Sequence, residues 1–297
     1  MPPVQVRGEV FSIKPVGDYF AMTVVASGIA EQTKPGQFVA VAVSGDNGAM
    51  LLRRAFSIYQ VADRGIYGGT VEFVFAVHGK GTAWLASRRP HDPIDVVGPL
   101  GRPFKLPAQP ANCVLVGGGY GAAPLFLLAD ALRKRGCRVD FVLGAANADR
   151  LFGALDAKRM AASVAFTTDD GSYGDQGRVS DVLPEVIERT HADVVYACGP
   201  MAMLAAVHTV AADAYHGAGI PSQLAVEESM ACGVGVCMTC VLPVIGDDGE
   251  TRMARSCVEG PVFAGDRIRW DALGTVPADA LGAAAMMAPT ELAEQNT

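Results

Sequence analysis

The chain has 297 residues, half of them hydrophobic and 19% charged, and a formal net charge of −7. That length accommodates two domains and a small module, and an acidic balance without any basic run interleaved with aromatics excludes nucleic acid as a partner. The longest apolar stretches, residues 122–132 and 281–288, are too short or too interrupted to span a bilayer, so no membrane insertion is expected.

In chain order, the first hundred residues read as strands, with apolar/polar alternation over 4–10 and β-rich runs over 38–43 and 71–77. Turn formers such as Gly45-Asp46-Asn47-Gly48 separate them, which predicts an antiparallel β-barrel domain over residues 1–107. After Pro107-Ala108-Gln109-Pro110 short apolar strands alternate with helical patterns. The strands are expected at 113–116, 139–143, 163–168, 194–197 and 223–226, and the helices at 122–135, 179–188 and 201–215. Such alternation predicts a doubly wound parallel sheet, here an α/β domain over 108–226. A cysteine-bearing module follows at 227–270. The Ala/Met/Pro-rich tail, 271–297, lacks patterning and is expected to be a short helix or disorder.

Within the α/β domain, Cys113-Val114-Leu115-Val116-Gly117-Gly118-Gly119-Tyr120-Gly121-Ala122 ends a strand, turns on glycines and opens a helix. Such a loop lets backbone N–H groups and a helix N-terminus meet a pyrophosphate. The acid that should close the next strand and hold a ribose is missing, because residues 139–146 end in Gly144-Ala145-Ala146. Asp169-Asp170-Gly171-Ser172-Tyr173-Gly174 borders the same cleft or forms a solvated turn. No basic pair suited to a 2′-phosphate is evident, which favours NADH over NADPH.

Cys232, Cys237, Cys240 and Cys257 are spaced C-x4-C-x2-C with a fourth cysteine after sixteen residues. Three thiolates from one tight loop and a fourth from a distant segment are the plant-type ligand spacing of a [2Fe–2S] cluster. A zinc site would show C-x2-C pairs, and Cys237/Cys240 alone fit that pattern. Disulfides are disfavoured by the odd count of seven cysteines and by a start, Met1-Pro2-Pro3-Val4, unlike a signal peptide, so a reducing, cytoplasmic location is expected. Cys113 and Cys137 read as buried thiols.

Arg54-Ala55-Phe56-Ser57, Gly79-Lys80-Gly81-Thr82, residues 98–104, residues 117–124 and Cys198-Gly199-Pro200-Met201 occur in the order found in ferredoxin–NADP reductase-like flavoproteins. With the C-terminal cysteines, the chain resembles the electron-transfer subunits of class 1B dihydroorotate dehydrogenases over residues 5–270. One departure is Ala55, where that family often has Pro.

The resemblance implies an FAD site. Arg54 would face the flavin pyrophosphate, with Gly81 and Thr82 at the other phosphate. Ala55 and Phe56 would border the flavin, with Ser57 near its N5 and Val74, Phe75 and Ala76 lining the site. It also implies a pyridine-nucleotide site at Gly118, Gly119 and Gly121, with Cys198, Gly199 and Pro200 near the nicotinamide. Ser57 and Cys198 are the candidate catalytic residues, and Cys232, Cys237, Cys240 and Cys257 the metal ligands. His78, beside the glycine turn, reads as a surface or flavin-edge residue rather than a proton carrier. The implied cofactors are FAD, a [2Fe–2S] cluster and NAD(H), and the implied partner is an FMN-containing dehydrogenase subunit in a heterotetramer. Related subunits serve ferredoxin–NADP transhydrogenases and soluble hydrogenases, and a redox-sensing or scaffold module is the alternative of another class. The cluster loop and residues 258–263 are the expected docking edge, with strand-and-turn packing as the competing role of 258–263.

Overall fold

A computed structural model of the chain describes residues 2–43 and 50–283. The expected turn at Gly45-Asp46-Asn47-Gly48 and the end of the 281–288 apolar stretch lie outside the described residues, as does the tail from 284 on.

The first unit contains β1 (Val4–Val16), β2 (Tyr19–Val25), the single turn α1 (Ser27–Ala30), β3 (Phe38–Val41), β4 (Arg54–Asp63), β5 (Gly69–Phe75), α2 (Lys80–Ala86) and β6 (Pro93–Leu100). Its six strands close an antiparallel barrel in the order β1-β2-β5-β4-β3-β6. Inward residues such as Val10, Met22, Val24, Ile58, Val71 and Phe73 fill it. All four residues of β3 are buried, because both faces are covered. Val39 and Val41 point into the barrel core, while Phe38 and Ala40 pack outside it against Leu100, Cys240 and Cys257. A continuous apolar strand is the signature of two-sided burial.

The second unit contains β7 (Asn112–Gly118), α3 (Ala123–Lys134), β8 (Arg138–Ala145), α4 (Ala154–Met160), β9 (Ser163–Thr168), β10 (Asp175–Gln176), α5 (Val179–Thr190), β11 (Val194–Cys198), α6 (Met201–Gly217) and β12 (Ser222–Ala225). The helical backbone of α6 breaks at Ala214, short of its expected end. Cys113 and Leu115 on β7 face a core shared with α3, and Val114 and Val116 face another shared with α5 and α6. A strand sends alternate side chains to opposite faces, so helices cover both sides of this sheet.

The third unit contains β13 (Val241–Ile245), β14 (Thr251–Arg255) and β15 (Val262–Ala264). β13 and β14 form a hairpin, whereas β15 pairs antiparallel with β12. The sheet order is therefore β10-β9-β8-β7-β11-β12-β15, parallel except at its β15 edge. Residues 262–264 are thus committed to sheet pairing, the alternative role held open for that segment. The described part of the tail returns to the hairpin, where Leu281 N donates to Thr251 O at 2.8 Å.

Tyr19 and Tyr59 of the barrel join the core of the α/β unit. The Tyr59 ring meets Phe126 and Phe152 edge-on, and its hydroxyl donates to Asp156 at 3.2 Å. Burial and the Asp156 carboxylate raise the Tyr59 phenol well above its ordinary value, so it stays a donor. The contact fixes the barrel against the sheet.

Candidate functional site

A cavity of about 280 Å³ opens between the barrel and the sheet. Its barrel wall contains Arg54, Ala55, Phe56 and Ser57 of β4, Val74 and Phe75 of β5, then Ala76 and Thr82; Cys198, at the end of β11, closes the sheet side. The sequence thus brings together ten of its expected residues here, Gly121 included. Phe56 stacks on Phe73 with centroids 4.8 Å apart and still presents a surface to the cavity, so it serves the core and the wall together. Ser57 is exposed within this space.

Gly81 lies behind Arg54. A Cβ there would stand 3.2 Å from Arg54 Nε, so the missing side chain makes room for the guanidinium, which donates to Leu52 O at 2.7 Å. Thr82 Oγ1 accepts from the His78 and Gly79 N–H groups at 3.0 and 3.2 Å and so caps α2, leaving the first-turn amides of that helix without intrahelical partners. His78 is exposed at the same rim. A guanidinium, free amides and apolar ring-sized walls suit a flavin dinucleotide.

A second cavity of about 490 Å³ lies across the carboxyl ends of β7, β8 and β9. The strand order reverses between β7 and β11, which is the switch point where such sheets bind ligands. Gly118, Gly119, Gly121 and Pro200 line it. Gly119 has φ +54°, and a Cβ on Gly121 would come within 2.9 Å of Gly199 Cα, so the loop needs glycine at both positions. Gly199 therefore supports the loop from below. Thr167 Oγ1 is buried in this region without a partner, a polar atom positioned for a polar ligand.

Tyr120, Gly121 and Glu227 line both cavities, so the two form one crevice. Burial, then the Glu227 carboxylate, hold the Cys198 thiol far above its ordinary value, and the same causes raise Tyr120. Both groups remain protonated at neutral pH. Glu227, Glu228 and Met230 were not anticipated as wall residues, nor were Arg150 and Arg178. Sequence does show Glu227 and Glu228 directly after β12, at a strand's carboxyl end. Arg150 is tied to Asp18 at 3.4 Å. Asp169 also lines the cavity, a carboxylate just past β9 where the end of β8 has none. Its neighbour Asp170 is engaged by Ser172, N–H at 2.9 Å and hydroxyl at 2.6 Å.

Of the four expected ligand cysteines, Cys232 is half-buried and Cys237 exposed on the loop, while Cys240 and Cys257 are buried in one cluster with Phe38 and Ala40. Among the described residues no three His, Cys, Asp or Glu side chains surround a single point. The Val234 and Val236 N–H groups donate to Cys232 Sγ at 3.4 and 3.3 Å. Hydrogen bonds from Thr239, then from Cys232, lower Cys237 to about 6, while burial and then Cys240 push Cys257 up to about 12. Donors aimed at sulfur and a thiol poised to ionise fit a cluster, whose loading releases the remaining protons. Phe38 packs with Cys240 and Cys257 and also lines the flavin-sized cavity, linking the two sites.

Residues 227–269 match the family described as the iron-sulfur cluster binding domain of dihydroorotate dehydrogenase B, and residues 115–209 match the oxidoreductase NAD-binding domain. The dihydroorotate dehydrogenase B (NAD(+)) electron transfer subunit of Geobacillus thermodenitrificans is 40% identical over 247 residues, covering 82% of this chain and 90% of that protein. The corresponding subunit of Enterococcus faecalis is 33% identical over 243 residues, 81% and 88% of the two chains. Among solved structures, an NADH-dependent reduced ferredoxin-NADP oxidoreductase superposes with a TM-score of 0.75 and 29% identity, covering 90% of this chain and 91% of the other. The ferredoxin NADP+ reductase of Neisseria gonorrhoeae shares the fold, with a TM-score of 0.57, 15% identity, and coverage of 71% and 92%. The chain belongs to the family of dihydroorotate dehydrogenase B electron transfer subunits.

Proposed function

We propose that this chain carries electrons between NAD(H) and an FMN-containing dihydroorotate dehydrogenase subunit, using FAD and a [2Fe–2S] cluster. The observation that carries this reading is spatial continuity: Tyr120, Gly121 and Glu227 join the nucleotide and flavin cavities, and Phe38 joins the flavin cavity to Cys240 and Cys257. Bound FAD supplies the conversion between the two-electron hydride of NADH and single electrons.

The residues of the chain bind and orient. Arg54 and the first turn of α2 hold the flavin phosphates, Phe56 and Val74 exclude water from the ring, and Ser57 offers a hydroxyl at its reacting edge. Cys198, kept neutral by burial, packs where hydride is exchanged without becoming a nucleophile. Asp169 accepts from the adenosine ribose and repels a 2′-phosphate, which selects NADH.

The partner docks at the cluster loop, where Val236 is 80% exposed beside exposed Val234, Met238 and Cys237. We place two copies of each subunit in the complex, in the cytoplasm; no helix among the described residues is long and apolar enough to cross a membrane. A second reading replaces the partner by a ferredoxin-type subunit, favoured by the 29% identical ferredoxin-NADP oxidoreductase structure.

Mixing the purified chain with an FMN-containing dihydroorotate dehydrogenase subunit decides between them. NAD+-dependent oxidation of dihydroorotate should need both proteins, while this chain alone reduces dyes with NADH. Dihydroorotate oxidation by the chain alone would contradict the division of labour.

A further inference from the structure

Val236 N–H lies 3.3 Å from Cys232 Sγ, and the carbonyl of the same peptide unit, Gly235 O, accepts a hydrogen bond from Arg255 Nη1 at 2.8 Å. That peptide is trans, so its C=O and N–H point in opposite directions within one plane. A guanidinium gripping the oxygen therefore fixes the direction of the N–H. It also polarises the unit, which strengthens the bond to sulfur. Gly235 has φ +85°, and a Cβ there would meet Val258 Cγ2 at 2.5 Å, so the loop is shaped for this turn.

Arg255 is itself held rigid. It is the last residue of β14, paired with Val241 next to Cys240, and two positions before Cys257. Glu259 takes the rest of its fork, Nη2 to Oε1 at 2.9 Å and Nε to Oε2 at 3.3 Å. The same carboxylate accepts from the Arg255 backbone N–H at 2.7 Å, and the Glu259 N–H donates to Arg255 O at 2.8 Å. An ordinary surface ion pair contributes little. This one is distinguished by its third bond, which crosses to the middle of the C-x4-C loop.

We propose that Arg255, braced by Glu259, is a positioning residue for the cluster: it aims the Val236 N–H at Cys232 and sets a fixed cation beside the thiolates, raising the midpoint potential. One-electron reduction of a bound cluster, with the electron supplied from NADH through the flavin, would take one iron from Fe(III) to Fe(II) and make the cluster with its thiolates one charge more negative. A donor directed at sulfur and a nearby cation stabilise that more negative form. Glu259 offsets part of the charge, so the aimed N–H accounts for the remainder. Lysine is not equivalent, because an ammonium lacks the fork that reaches Gly235 O and Glu259 together.

The proposal rests on the reading of the four cysteines as cluster ligands, which iron and sulfide content of the unaltered full-length chain tests separately. An EPR-monitored redox titration of the flavin- and cluster-loaded chain then tests Arg255. Arg255→Gln should lower the midpoint potential and alter the g values. Arg255→Lys should recover part of the potential while keeping altered g values. Arg252→Gln, on the same strand but paired with Asp248 and Glu250, should change neither. If Arg255→Gln holds too little cluster to titrate, Arg255→Lys decides, expected to shift the potential downward, with Glu259→Gln expected to alter the g values because it releases the brace on Arg255. Potentials and g values equal to those of the unaltered chain in whichever of these variants retains cluster would overturn the proposal.

Discussion

Two side chains carry most of the chemical discrimination. Cys237 is the exposed member of the thiol set, held by Thr239 Oγ1 at 3.1 Å and by no core packing. Cys237→Ser should therefore strip iron and sulfide while flavin content stays at the unaltered level, because the flavin cavity does not contain it; unchanged iron would remove Cys237 from the ligand set. Asp169 stands in the nucleotide cavity with Arg178, whose side chain has no ion-pair partner among the described residues. Asp169→Ser should raise the NADPH to NADH ratio of kcat/KM by about tenfold to a hundredfold, as expected when one like charge facing a phosphate is removed. An unchanged ratio would mean that the ribose lies elsewhere. Arg178 and Arg150 escaped the sequence reading because one follows β10 and the other β8, and they line one cavity only through the parallel order β8-β9-β10. The cysteine spacing was legible because three of the four cysteines lie within nine residues.

At the scale of elements, the parallel strands were legible for a physical reason. Covered on both faces, β7 and β11 are continuous apolar runs, and the expected and observed bounds differ by one or two residues. β13 to β15 left no such trace, being only three to five residues long, with Pro243 inside β13 and Thr251, Arg252 and Arg255 in β14. Their placement depends on tertiary contacts. At the joint of α6, β12 and the segment after β15, His208 Nδ1 lies 3.2 Å from Ser222 Oγ and its ring stacks on Trp270 at 5.9 Å. Burial lowers the His208 value below 6.5, and Asp266 opposes that only in part. The unfolded chain takes up this proton near pH 6.5 and the folded chain only at lower pH, so protonation favours unfolding. Stability should hold above pH 6.5 and fall as pH drops from there through the folded-state value. His208→Gln should flatten that slope in urea melts between pH 7.5 and 5; an equal slope in both proteins would contradict the assignment.

Across the whole molecule, three units that each bury their own face also share surfaces, and electron transfer depends on those shared surfaces. Tyr19 and Tyr59 bind barrel to sheet, Phe38 and Ala40 seat the cysteine module on the barrel, and β15 seats it on the sheet. These contacts place the nucleotide cavity, the flavin cavity and the thiols in one order. The barrel, the wound sheet and the separate cysteine module were legible in the sequence; the joints were not, because they involve single residues such as Tyr59 and Phe38 whose apolar character reads as ordinary core. The most direct measurement is an anaerobic titration of the purified, cofactor-loaded chain with NADH, followed by visible absorption. The flavin bands and the broader iron–sulfur absorption should bleach together, with electrons shared between both centres. Bleaching of the flavin alone, with the iron–sulfur absorption unchanged at excess NADH, would contradict a continuous path from nucleotide to cluster.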